Sequence, residues 1–323
     1  MKKRLMLLAL ALVVLWGAVC WSGGNQMACP PRRALQDYHR EFLGQPAAHG
    51  VVLKSFSASD GTPCILVEPL SGVALGSRGQ TVRDQLVKQQ MALPPPGTII
   101  GTIVLMHGRR GRKEDYLLIA ERLCAVGYRC LLADLPGHGD HPGSLACYGL
   151  REAELPGLLL DEASARFHFA AAPAGLMGLS MGGAVSIQAA AKHPQRWSAL
   201  VVVSSFDTLE NIIRHQASSY LGDVLGSCWQ GGAGWVYQWK TGIPLAAIRS
   251  IDKVPALTMP TLIAHGTADR VVPIECGKRL FAALPASLEK KWVEIPGADH
   301  DNVLITDFPI YATIAEWMLR HVR

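Results

Sequence analysis

The sequence predicts an α/β fold, a mostly parallel central sheet of about eight strands covered by helices on both faces. Three observations predict it. From residue 98 onward, short apolar runs alternate with segments of helical spacing. Those runs are apolar throughout, as strands buried on both faces must be. Hydrophobic residues make up 49% of the 323 residues and charged residues 18%, which suits one large packed core.

Residues 1–30 carry Lys2, Lys3 and Arg4 ahead of an apolar stretch from Leu5 to Trp21, the pattern of a signal peptide or an N-terminal membrane anchor. Ser22-Gly23-Gly24 offers small residues for processing. Either way the remainder is expected to be exported, to the periplasm or another extracytoplasmic space, because the basic end stays inside. Residues 31–50 read as a linker with one helical turn, and residues 51–323 as the folded domain. "VVLKSFSAS" and "PCILVEPL" flank Asp60-Gly61 and predict a hairpin. The polar segment 71–97, closed by Pro94-Pro95-Pro96, reads as an insertion without assigned structure.

Strands are then expected in "TIIGTIVLM", "RCLLAD", "AGLMGL", "SALVVVS", "PTLIAHG" and "KKWVEIP". Helices are expected at 114–127, 155–172 and 181–193, with a last one in "FPIYATIAEWMLRHVR". Residues 209–250 interrupt the alternation with Tyr220, Trp229, Trp235, Tyr237 and Trp239, and read as a cap over a binding site or as aromatic surface packed on the core.

Composition excludes several functions. The net charge of +5 is scattered apart from Lys2–Arg4 and "GRRGRK" at 108–113, and neither run is interleaved with aromatics, so no nucleic-acid partner is expected. The eight cysteines include no Cys-x-x-Cys, and most lie in apolar segments where they read as buried free thiols. No dinucleotide or phosphate-binding glycine pattern occurs, so no cofactor is expected. Asp134, His138, Asp140 and His141 lie among glycines and prolines and read as a loop beside a pocket, not a metal site.

The chemistry centres on Ser180 in "GLSMGG", between a strand and an Ala-rich helix. This strand-turn-helix setting exposes a serine oxygen above the sheet. A serine hydroxyl needs a base, and that base an orienting group. Of eleven histidines, His300 follows the last strand in "PGADHDN". Asp269, in "HGTADRVVP", follows another strand, with Asp207, Asp252 and Asp299 as rivals. Oxyanion donors are expected from the backbone N–H of Met181, at a helix start, and of Arg109, in the loop "HGRRG". The side chains of Arg109, Arg110 and Arg112 are expected to flank the pocket mouth and favour an anionic substrate group.

"MHGRRG", "DLPGHGDHPG", "GLSMGG", "HGTADRVVP" and "PGADHDN" together resemble the α/β-hydrolase superfamily, in the branch of serine aminopeptidases and monoglyceride lipases. The resemblance implies an α/β-hydrolase fold, with Ser180 as nucleophile, His300 as general base and acid, Asp269 as orienting carboxylate, and Arg109 and Met181 as oxyanion donors. It implies cleavage of an ester, or of a thioester or amide, in a small-molecule acyl substrate through an acyl-enzyme, with water as the only co-reactant. The apolar leader and aromatic 209–250 segment point to lipid and to membrane association. Aminopeptidase-like or acyltransferase activity, or a non-catalytic binding protein on the same fold, are the alternatives.

Overall fold

A computed structural model describes residues 2–305 and 310–323. Helix α1 (Lys2–Ala28) and helix α2 (Asp37–Gly44) lead into the antiparallel pair β1 (Val51–Ser57) and β2 (Pro63–Pro69). Then come α3 (Ser77–Lys88), β3 (Gly101–Met106), α4 (Leu117–Ala125), β4 (Tyr128–Ala133), α5 (Leu155–Phe167), β5 (Ala174–Leu179) and α6 (Met181–Lys192). They are followed by β6 (Ala199–Val203), α7 (Leu209–Thr241), β7 (Thr261–Gly266), α8 (Ile274–Ala283), β8 (Lys290–Ile295) and α9 (Ile310–His321). The eight strands form one sheet in the order β1-β2-β4-β3-β5-β6-β7-β8, parallel from β4 to β8.

Side-chain alternation explains why the strands read as unbroken apolar runs. On β3, Ile103 and Leu105 face a core built with α3, α4 and α9, while Val104 and Met106 face one built with α5, α6 and α8. Both faces are therefore buried. At the β1–β2 hairpin, Asp60 Oδ1 accepts the Thr62 N–H at 2.8 Å and Gly61 adopts φ +84°. That is the turn chemistry Asp-Gly supplies.

Three segments contain more regular structure than the sequence suggests. Residues 71–97 hold α3, anchored by Val82 and Leu86 four residues apart. Residues 31–50 hold α2 and a 3-10 turn, closed by Phe42 stacked on His49 at 3.9 Å. Residues 209–241 form a 33-residue helix bent at Gly222, which adopts φ 74° and ψ 168°. Thr208 caps that helix by accepting the Asn211 N–H. The expected last helix begins with Phe308 and Pro309, outside the described residues; its remainder is α9.

A buried ionic cluster ties the loop after β3 to the loop after β4. Lys113 Nζ lies 2.8 Å from Asp134 Oδ2 and 2.9 Å from both Asp140 Oδ2 and Glu114 Oε1. Its ammonium thus occupies the space among the three carboxylates that could otherwise gather around a cation. Burial works against that charge, yet Asp134, Asp140 and Glu114 together raise the Lys113 pKa. Arg112 belongs to the same cluster, bonding Glu114 at 2.6 Å and Asp140 at 2.8 Å. This corrects the expectation that Arg112 flanks the pocket mouth: its guanidinium is buried and neutralised by those two carboxylates.

Asp134→Ala leaves the Lys113 ammonium buried without its main partner, and should lower unfolding stability by about 3–5 kcal/mol. Denaturant midpoints check this. The double variant Lys113→Met, Asp134→Leu should recover most of the loss, because no uncompensated charge remains.

Candidate active site

Ser180 joins β5 to α6 at φ 54° and ψ −117°, a left-handed conformation that a residue with a Cβ adopts only under constraint. The turn closes because its neighbours are bare. A Cβ on Gly182 would lie 2.0 Å from Met106 O, and one on Gly178 would lie 2.1 Å from Gly182 O. The Ser180 N–H donates to Val203 O of β6 at 2.9 Å, and Ser205 Oγ donates to Ser180 O at 2.8 Å. The hydroxyl is left at the carboxyl end of the sheet, where parallel strands deliver their loops.

β7 and β8 bring the two partners. His300 Nε2 stands 3.0 Å from Ser180 Oγ, and His300 Nδ1 stands 2.8 Å from Asp269 Oδ2. The other oxygen, Asp269 Oδ1, accepts the N–H groups of Val271 and Val272 at 3.0 and 2.8 Å. With a carboxylate at Nδ1, that nitrogen carries the proton and Nε2 is free to accept the serine proton. Asp269 is fully buried at its side chain, while His300 keeps 15% exposure and can meet a substrate.

The rival carboxylates are engaged elsewhere. Asp207 accepts from Arg279 Nε at 2.7 Å, Asp252 pairs with Arg249 at 2.7 Å, and Asp299 Oδ1 accepts the N–H groups of Asp301 and Asn302. Asp299 thereby shapes the turn that carries His300.

The buried histidines act as struts. His107 Nδ1–H donates to Gly108 O at 2.8 Å, and its Nε2 accepts the Leu135 N–H at 3.0 Å. His265 Nε2–H donates to Val272 O at 2.8 Å. Burial lowers the pKa of both rings. His265 is consequently neutral, and its 3.6 Å approach to Asp269 is not an ion pair. Burial, reinforced by neighbouring His107, pushes His138 from its ordinary 6.5 down to about 3.

The loop after β3 runs beside the serine. A Cβ added to Gly108 would sit 3.5 Å from Leu179 O and 3.6 Å from Ser180 Cβ. Arg109 follows directly, and Met181 opens α6, where the first N–H groups have no partner within the helix. Both residues line a cavity of about 1980 Å³ together with Ser180, Asp269 and His300. Its apolar wall includes Met27, Tyr148, Phe206, Leu209 and Ile212. Arg110 is exposed at this cavity, and the Arg109 guanidinium donates to the backbone oxygen of Gln26, which also lines it, at 2.9 Å. Gln26 and Met27 were not among the residues expected here; nothing in a uniformly apolar leader marks them as a pocket wall.

Comparison with known proteins places this architecture. Residues 97–231 match the family described as serine aminopeptidase, S33. An esterase of Pyrococcus furiosus shares the fold at TM-score 0.64 and 15% identity, over 92% of this chain and 99% of the esterase. The chain has the α/β-hydrolase fold. This α/β-hydrolase also resembles, in fold, a membrane phospholipase A described as a bacterial virulence factor, at TM-score 0.55 and 16% identity over 99% of each chain. In sequence it is 44% identical over 57 residues to the α/β-hydrolase domain-containing protein aho-3 of Caenorhabditis elegans. That match spans 18% of the hydrolase and 17% of its relative.

Neutral buried histidines give the hydrolase a pH dependence of known sign. In the unfolded chain His107, His138 and His265 bind protons near pH 6.5, roughly the free-histidine value. Folding lowers all three, so their contribution is complete above that pH and is lost as pH falls toward the folded values. Urea midpoints should therefore fall on acidification from neutrality, and His138→Gln should flatten that fall.

Proposed function

We propose that this α/β-hydrolase is a serine esterase working through Ser180, His300 and Asp269. One observation carries the reading: an unbroken chain of hydrogen bonds, 3.0 Å from Ser180 Oγ to His300 and 2.8 Å from His300 to Asp269, at the wall of a cavity lined in part by apolar side chains.

His300 Nε2 takes the Ser180 proton as Oγ attacks the ester carbonyl carbon, and Asp269 stabilises the imidazolium. The carbonyl oxygen becomes an oxyanion held by the N–H groups of Arg109 and Met181, the latter at the positive end of α6. Collapse expels the alcohol, which takes the proton from Nε2 and leaves an acyl group on Ser180. Water then gives a proton to Nε2 and attacks the acyl carbon. The acid leaves and Ser180 regains its proton. An ester is the readier substrate because its carbonyl lacks the resonance stabilisation of an amide and its alkoxide departs more easily than an amide anion.

The substrate class follows from the walls. Tyr148, Phe206, Leu209 and Ile212 suit an acyl chain, and the names of the esterase and the membrane phospholipase A agree with an ester or lipid substrate. α1 is a 27-residue helix with a mean hydropathy of 2.3 in its most apolar window, long and apolar enough to cross a bilayer. Exposed Trp21, Trp235 and Trp239 cluster near Lys240 at its foot, as side chains at a membrane–water interface do. The hydrolase is thus read as an extracytoplasmic, membrane-associated enzyme with α7 as its cap.

A fluorophosphonate serine probe should label the wild type and neither Ser180→Ala nor His300→Ala; labelling of Ser180→Ala would overturn the assignment. Asp269→Asn should keep the fold and lose about 10⁴-fold in kcat, because the wrong imidazole tautomer is held. Arg110→Ala should weaken any preference for anionic over neutral esters of equal length, as measured by the ratio of kcat/KM values.

A further inference from the structure

We propose that α1 is retained in the working enzyme and that its last two turns form the inner wall of the catalytic cavity, where they position the oxyanion loop through Arg109. This rests on the esterase reading for the role of that loop. The retention of the helix rests on packing alone.

α1 has two unlike parts. From Leu5 to Leu15 its large apolar side chains are exposed, whereas Cys20, Gly24, Met27 and Ala28 are buried against the hydrolase domain. The buried part meets the second half of α7 at backbone distance. A Cβ on Gly24 would lie 2.4 Å from Ala233 O and 2.5 Å from Val236 Cβ. A Cβ on Gly23 would lie 2.2 Å from the Trp229 ring, and one on Gly232 would lie 2.6 Å from Cys20 Sγ. Both helices thus carry glycines where they cross, and each depends on the other being present. By contrast, a Cβ on Gly17, in the exposed part, would meet nothing within 4 Å.

Polar ties fix the end of the helix into the domain. Tyr148 Oη donates to Met27 O at 3.1 Å, and the Ala146 N–H donates to Ala28 O at 2.9 Å. Arg32, just beyond, donates to Gly139 O, His141 O and Gly143 O at 3.0, 2.6 and 3.0 Å. Cleavage beside Gly23-Gly24 would strip the cover from Ala233 and Val236.

The tie that reaches the chemistry is Arg109. Its Nη2 donates to Gln26 O at 2.9 Å, so the side chain is held by α1 while the same residue lines the cavity beside Ser180. Gln26 and Met27 line that cavity themselves. Without the helix, the guanidinium loses its acceptor and the loop loses the brace that sets its N–H. Arg109 is therefore a positioning residue, acting on the transition state and not on substrate binding.

Two measurements test this on the full chain purified from membranes. Intact mass should include Lys2–Arg4; a mature chain beginning at or after Ser22 overturns the proposal. Gly24→Leu should slow fluorophosphonate labelling at least tenfold while Gly17→Leu labels at the wild-type rate, and equal rates for both overturn the wall role. Should Gly24→Leu fail to fold, Arg109→Ala decides. It should lower kcat at least tenfold, with KM for a short ester changed less than twofold and the pH profile unmoved, and Arg109→Lys should restore part of the loss. An unchanged kcat overturns the positioning role. If the wild type itself does not label, the esterase reading has failed, and with it the role of Arg109. The seat of α1 is then still read by Gly232→Cys in a Cys228→Ser background, where a mild oxidant should form a disulfide to Cys20; no disulfide overturns the packing.

Discussion

Everything in the site depends on the backbone at Ser180. Holding a residue with a Cβ at φ 54° costs on the order of 1–3 kcal/mol, and the surrounding sheet must supply it. β6 does so through Val203 O and Ser205 Oγ, and β3 does so by passing so close to Gly182 that no other residue fits. The strain is therefore shared by the two strands flanking β5. A serine on a relaxed turn could lie down along the helix; this one stands above the sheet, where the loops after β3, β7 and β8 converge on it.

Those loops are stiffened by a repeated device. An imidazole bonds backbone in each of three places: His107 links Gly108 O to the Leu135 N–H, His138 holds Pro136 O in the loop after β4, and His265 holds Val272 O after β7. A neutral imidazole offers one donor and one acceptor at opposite ends of a rigid ring, so it can bridge two stretches of backbone in the way a strand would. Burial keeps these rings neutral. His300 differs from these struts in pairing a carboxylate on Nδ1 with a serine hydroxyl on Nε2 and in keeping an exposed edge.

The parts legible in the sequence are those whose physics is local. β3 to β7 show as apolar runs because each is buried on both faces, whereas β8, at the sheet edge, keeps Lys290, Lys291 and Glu294; Ser180, Asp269 and His300 show because each follows a strand. α3 is hidden because its anchorage comes down to Val82 and Leu86 in an otherwise polar segment. α7 is hidden because glycines and tryptophans disguise a helix whose apolar face is covered by α1 and by the core. Arg112 misleads because the carboxylates of Glu114 and Asp140 that claim it cannot be assigned to it before the fold is known. Ser22-Gly23-Gly24 is the plainest ambiguity: smallness serves a processing enzyme and a helix crossing equally well, and nothing in the sequence shows that Ala233 and Val236 lie against Gly24.

The cavity is lined from Gly23 near one end of the chain to Tyr311 near the other, with Ser180 between them. During synthesis the wall emerges first and the base among the last residues, more than a hundred positions after the serine. On the esterase reading proposed above, the serine has no proton acceptor until β8 has joined the edge of the sheet and brought His300 to it. Ester cleavage would then be a property of the completed sheet, because the last strand to be made carries the base.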